Sequence, residues 1–166
     1  MKKIKYNIIK TSICLLLIMG ISSCDKGGDP DPGATKVVAM SGDWYVQGFE
    51  SGTMIADYLR ISTYNSSADD GTEMWVDDHG NFWDFKAKSP VNTTSLTFSG
   101  DGLDSDVDGY VITVNITNGA IVKDGATTSG GNTADGISFD IEFSDDPGTI
   151  YTLTGYKRTG LLEDEH

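Results

Sequence analysis

The sequence predicts an all-β domain of antiparallel strands, closed as a sandwich or as an up-and-down barrel of about eight strands. Three observations lead there. Two segments alternate strictly between apolar and polar side chains. Clusters of Asp, Asn, Ser and Gly recur between the candidate strands. No segment after Val37 carries a convincing helical pattern. In order, the strand candidates are 43–50, 55–65, 72–78, 81–88, 93–99, 110–117, 119–124, 137–143 and 149–158. Segment 110–117 places Tyr110, Ile112, Val114 and Ile116 on one face and Thr113, Asn115 and Thr117 on the other. Segment 137–143 does the same with Ile137, Phe139, Ile141 and Phe143. Apolar residues at every second position bury one face of a strand and leave the other to solvent. Turn clusters lie at 66–71, 77–81, 101–109 and 145–148. The longest expected loop is 124–135, and residues 161–166 read as a loose tail.

Composition sets the outer limits. The chain has 166 residues and a net charge of −13, from 25 acidic and 12 basic side chains. Four of the basic ones, Lys2, Lys3, Lys5 and Lys10, lie in the first ten residues, and no acid precedes Asp25. The rest of the chain therefore holds 8 basic against 25 acidic side chains, a balance of −17. Such a surface repels phosphate backbones, so nucleic acid is not an expected partner. Both cysteines, Cys14 and Cys24, precede Asp25, so neither a disulfide framework nor a Cys-rich zinc site is expected in the domain.

The N-terminal end reads as an address. A basic stretch to Lys10 is followed by a short apolar run, Ile13–Ile21, below the roughly 20 residues a spanning helix needs. Ile21-Ser22-Ser23-Cys24 resembles the bacterial lipobox. That resemblance implies cleavage before Cys24, which then carries a diacylglyceryl thioether and an N-acyl chain. Several acyl chains make a stable anchor where one is marginal. Residues 1–23 are thus the expected signal peptide. Residues 24–36 are the expected lipidated cysteine and tether, rich in Pro, Gly and charge. Residues 37–160 are the expected barrel. Acidic residues directly after the cysteine are associated, in Bacteroidetes lipoproteins, with export to the cell surface. The expected location is the outer membrane, with surface exposure as an alternative.

Gly42-Asp43-Trp44 opens the first strand and Lys157-Arg158 ends the last. This placement resembles lipocalins and other calycins, where a Gly-x-Trp packs at the closed end of an up-and-down barrel and a C-terminal arginine lies across the indole. The resemblance implies that Gly42, Trp44 and Arg158 form such a plug. A core tryptophan in any β fold is the plainer reading. A second resemblance rests on Asp43–Val46, Ile61–Asn65, Met74–Asp78, Asn81–Lys86 and Thr154–Gly160. These segments resemble a family of Bacteroidetes lipoproteins described as lipid-binding putative hydrolases. It implies a calycin-like barrel on a lipid anchor and brings no catalytic residues with it.

The residues offer little to hydrolysis. There is no Gly-x-Ser-x-Gly elbow. His166 is the last residue, which leaves His79, in the turn Asp77-Asp78-His79-Gly80, as the base of any serine triad. It is either such a base or a solvated turn histidine. No catalytic motif supports an enzyme, and hydrolase is the third reading, behind ligand binding and a surface adhesion or complex-forming role. Asp104, Asp106 and Asp108, followed by Gly109, have the spacing of a calcium loop, but Asn115 stands where the EF-hand glutamate belongs. Calcium is therefore one reading and a solvated acidic loop the other; no other cofactor is expected. The aromatic segment 74–86 is the candidate binding surface. Taken as a hairpin, it puts Trp83 and Phe85 on one face and Phe82 on the other, with Trp75 opposite Met74 and Val76. Trp75, Phe82, Trp83 and Phe85 are the residues expected to meet a small apolar or amphipathic ligand held by the barrel. In the alternative, a filled barrel would present them to a surface glycan or a protein.

Overall fold

The computed structural model describes residues Gly33–His166; the expected signal peptide, Cys24 and most of the expected tether lie outside them. Eight strands close an antiparallel up-and-down barrel, each pairing with its neighbours in sequence and β8 returning to β1. They are β1 (Gly42–Glu50), β2 (Thr53–Asn65), β3 (Glu73–Asp77), β4 (Lys86–Asn92), β5 (Thr97–Asp104), β6 (Thr113–Thr127), β7 (Thr133–Phe143) and β8 (Tyr151–Lys157). A 3-10 turn, Val38–Met40, precedes β1, and a second, Leu162–Asp164, follows β8. Closure removes sheet edges, and residues Ala34–His166 hold their own core, as an independently folding unit does.

Alternation puts every second side chain inside. Trp44 and Val46, Met74 and Val76, Val114 and Ile116, and Phe139, Ile141 and Phe143 all point inward and are buried. The two ends of the barrel differ. Both described chain termini and the β2–β3, β4–β5 and β6–β7 connections lie at one end, around Trp44. The β1–β2, β3–β4, β5–β6 and β7–β8 connections gather at the other, which we call the mouth.

Four sequence expectations are corrected. Residues 81–85 are not strand; β4 begins only at Lys86. Segments 110–117 and 119–124 are one strand, β6, with a bulge between Thr117 and Ala120 where Asn118 takes a positive φ of 54°. Tyr110 itself lies in the connection before it. Residues 124–135 are not a long loop, because β6 continues to Thr127 and β7 starts at Thr133; a second irregularity between Val122 and Ala126 disguised the strand. The C-terminal tail is docked, not loose. Asp164 is buried and accepts hydrogen bonds from Thr128, Thr159, Asn132 and the Gly130 N–H. The His166 ring stacks on Tyr58 at 3.8 Å.

Candidate functional site: an aromatic mouth

At the Trp44 end the indole is buried and its Nε1–H donates to Thr63 Oγ1 at 2.8 Å. The threonine hydroxyl donates in turn to the Met40 carbonyl at 2.6 Å, so the 3-10 turn and the indole share one polar link. The cation over the ring is Lys157, with Nζ 5.7 Å from its centroid, and not Arg158. The register explains the correction, since Lys157 sits directly opposite Trp44 in the β8–β1 pair. Arg158, one residue on, turns outward to Glu165 at 2.7 Å. Gly42 serves this packing: a Cβ there would lie 2.5 Å from Lys157 Cε.

The mouth is closed by the connection 78–85, and one side chain shapes it. The Asp78 carboxylate is fully buried and accepts five backbone N–H groups. Oδ1 takes those of Gly80 and Phe85, both at 2.9 Å. Oδ2 takes those of Phe82, Trp83 and Asp84, at 3.1, 2.7 and 2.9 Å. A carboxylate can satisfy many donors at once, so a loop without ladder partners loses none of its backbone hydrogen bonds. This is why the strand expected over 81–85 does not form.

The loop delivers three aromatics to different places. Phe85 enters the core and is fully buried. Phe82 lies against β1 at Gly48, where a Cβ would meet its ring at 3.1 Å; the glycine leaves the slot that the ring fills. Trp83 stacks on Phe143 with centroids 4.6 Å apart, and its Nε1–H donates to Asp145 Oδ1 at 3.1 Å. Phe82 and Trp83 both pack on Tyr151, yet both stay partly exposed. Asp145 also accepts from the Tyr110 hydroxyl, and Asp146 from that of Tyr151 at 2.7 Å. The hydrogen bond to Asp146 and burial push the Tyr151 phenol up to about 12. The phenol of Tyr110 is likewise raised by its bond to Asp145, whose own carboxyl is lowered by it.

Beneath this lid the barrel is filled. Trp44, Val46, Ile61, Met74, Val76, Phe85, Val114, Ile116, Phe143 and Leu153 show no surface to solvent. Side chains this tightly enclosed leave no water-sized space along their inner faces.

Trp75 is elsewhere. It stands on the outer wall, half-buried, with the ammonium groups of Lys86 and Lys88 at 4.7 and 5.0 Å from its ring centroid. The wall opens here because β4 and β5 pair only at Val91–Phe98 and Asn92–Thr97, meeting again at the Ala87–Ser105 bridge. The gap is a cleft of about 530 Å3 lined by Trp75, Lys88, Leu103, Asp104 and Asp106 among others. The candidate surface of Trp75, Phe82, Trp83 and Phe85 is therefore three places: wall, mouth and core. Asp104 and Asp106 face the cleft while Asp108 does not line it, and Asp106 lies 3.9 Å from Lys86. Among the described residues no three His, Cys, Asp or Glu side chains gather to hold a metal ion.

His79 has a partner that spacing could not show. Its Nε2 lies 2.7 Å from Ser62 Oγ and its Nδ1 3.3 Å from Asp77 Oδ1. These are the contacts of a serine triad, but Ser62 has one proton and donates it to Asp43 Oδ1 at 2.6 Å. Asp43 thus competes with His79 for the single hydroxyl proton, and whenever Asp43 holds it the Ser62–His79 contact needs the Nε2–H tautomer, which is not that of a general base. Ser62, Asp78, Gly48 and Asp145 had no site role in the sequence reading, and Lys157 was passed over for its neighbour Arg158. Asp78 left a signal in the Asp-Asp-His-Gly turn, and Lys157 in the Lys-Arg pair that ends the last strand.

The sequence model of a family described as "Lipid-binding putative hydrolase" matches residues 29–162. No curated protein matches. A solved structure from Bacteroides ovatus, of unknown function, is similar at 15% identity and a TM-score of 0.43. The match covers 72% of this chain and 42% of that one, so this chain spans less than half of its length. With four-fifths of its length matched by the family model, the chain belongs to the lipid-binding putative hydrolase family.

Proposed function

We propose that this protein is a lipid-anchored barrel of the outer membrane, possessing a site for a small amphipathic ligand at its mouth and performing no chemistry on it. One observation carries the reading. The mouth is closed by two partly exposed aromatic rings, Phe82 and Trp83, borne on a loop rather than on the sheet. An apolar chain can take their place against Phe143, Tyr151 and Gly48 without unfolding a strand. Local opening of a loop needs less free energy than global unfolding. The family description supports a lipid as the ligand. The lipobox-like Ile21–Cys24 supports the anchor, and the competition of Asp43 for the Ser62 proton supports a site without catalysis.

A second reading has its own observation: the splayed β4–β5 wall. There Trp75 and its lysines would meet a glycan or protein, and the barrel would be a plugged scaffold for adhesion or complex formation.

Native mass spectrometry of residues 25–166 after incubation with a cell lipid extract separates the two. The expected result is a one-to-one adduct that is lost in Trp83→Asp and kept in Trp75→Asp. An adduct lost only in Trp75→Asp moves the site to the wall. No adduct with any lipid class removes the ligand reading.

A further inference from the structure

We infer that the mouth selects amphiphiles with a cationic head and rejects carboxylates of the same chain length. This rests on the reading of the mouth as the ligand site. The four connections that gather there, 51–52, 78–85, 105–112 and 144–150, contain no lysine or arginine and six aspartates. Asp78 is spent on the loop backbone and Asp106 faces the wall cleft, which leaves Asp84, Asp145 and Asp146 beside the mouth aromatics. Asp145 is bonded to both Trp83 and Tyr110, and Asp146 to Tyr151. Glu50, at the end of β1, lies close enough to Tyr151 to act on its phenol, as Asp84 does on Tyr110. Lys86, which opens β4 at this end, turns away to the ring of Trp75 on the outer wall. The other cationic side chains with described contacts, Lys88, Lys123, Lys157 and Arg158, are engaged on that wall, on Asp135, on Trp44 and on Glu165.

The two layers call for different parts of one molecule. The slot that Phe82 and Trp83 fill against Phe143, Tyr151 and Gly48 suits an alkyl chain. The ring of Glu50, Asp84, Asp145 and Asp146 then stands where the head must rest. A cation there is attracted by the carboxylates and by exposed aromatic faces, whereas a carboxylate is repelled. Apolar side chains continue the surface outward: Met54 and Ile55 at the start of β2, and Val111 and Ile150 in the connections, are all exposed at this end.

The test uses three probes of equal chain length below their micellar concentrations: dodecyltrimethylammonium, dodecyl maltoside and dodecanoate. Affinity is read by the fluorescence change of a Trp75→Phe chain of residues 25–166, with a Trp75→Phe/Trp83→Phe chain, which keeps only Trp44, as the baseline that isolates Trp83. The expected order is trimethylammonium, then maltoside, then carboxylate, with at least a tenfold difference between first and last at low salt. That difference should shrink as salt shortens the screening length. The double variant Asp84→Asn/Asp146→Asn keeps the shapes, and the amide oxygen introduced at position 146 can still accept from Tyr151. It should bring the three affinities together. Two outcomes overturn the inference while leaving the mouth as a ligand site: dodecanoate binding as tightly as the ammonium probe, or a preference unchanged in the double variant, which would assign it to the acidic surface at large. If none of the probes perturbs Trp83, the mouth reading falls as well.

Discussion

The two ends of this barrel are both closed by aromatic side chains, yet they are closed in different ways. At one end Trp44 belongs to a strand. Its ring lies in the core, its N–H is tied through Thr63 to the Met40 carbonyl, and Lys157 on the adjoining strand lies over its face. Removing that plug means removing part of the sheet. At the mouth Phe82 and Trp83 belong to a loop, whose backbone is tied to a single carboxylate rather than to a ladder. The expectation is that this loop opens as a unit while the sheet stays intact, so that equal aromatic content gives one closure built into the sheet and one separable from it, the difference lying in what carries the side chain.

Mutations should magnify that contrast. The largest effect is expected at Trp44→Ala, which empties a fully buried site. It should lower unfolding free energy by about 3–5 kcal/mol in denaturant titrations; a loss within about 1 kcal/mol, the size of an ordinary substitution, would mean the Trp44 end is no more integral than the mouth. Asp78→Asn comes next. An amide offers one oxygen where the carboxylate offers two, so some of the five N–H groups lose their acceptor. A loss of about 2–4 kcal/mol is expected, with new proteolytic cleavage confined to 78–85. Cleavage elsewhere, or wild-type resistance, would show that the loop is not a separable unit. The smallest effect belongs to Gly42→Ala. The added methyl displaces only the flexible end of Lys157 from the indole, so less than about 1 kcal/mol should be lost in denaturant titrations; a larger loss would mean that Lys157 cannot move aside.

Much of the architecture was legible because burial of one face imposes a period of two. Segments 137–143 and 43–50 could be read as strands directly, and Gly42-x-Trp44 pointed to the right end of the barrel. The failures share a cause: a side chain from elsewhere overrode the local pattern. Residues 81–85 alternate like a strand, but Asp78 takes their N–H groups. Asp124-Gly125 looks like the start of a long loop, yet β7 pairs beyond it. The tail 161–166 is polar and short, and it docks because Asp164 finds four donors. Arg158 was preferred to Lys157 by resemblance, and only the strand register decides between neighbours on opposite faces. The Ser62–His79 contact joins residues 17 apart through pairing of β2 with β3, which spacing along the chain does not display.

The five hydrogen bonds to Asp78 have one more consequence. They hold main-chain atoms and none of the side chains they pass. The side chains of His79, Asn81, Phe82 and Trp83 add contacts of their own, to Ser62, Arg60, Tyr151 and Asp145, but the turn of the main chain does not depend on them for its hydrogen bonds to Asp78. Related chains could diversify what they capture by varying those positions alone, and the same property makes the segment a natural place to graft a new recognition sequence onto this barrel.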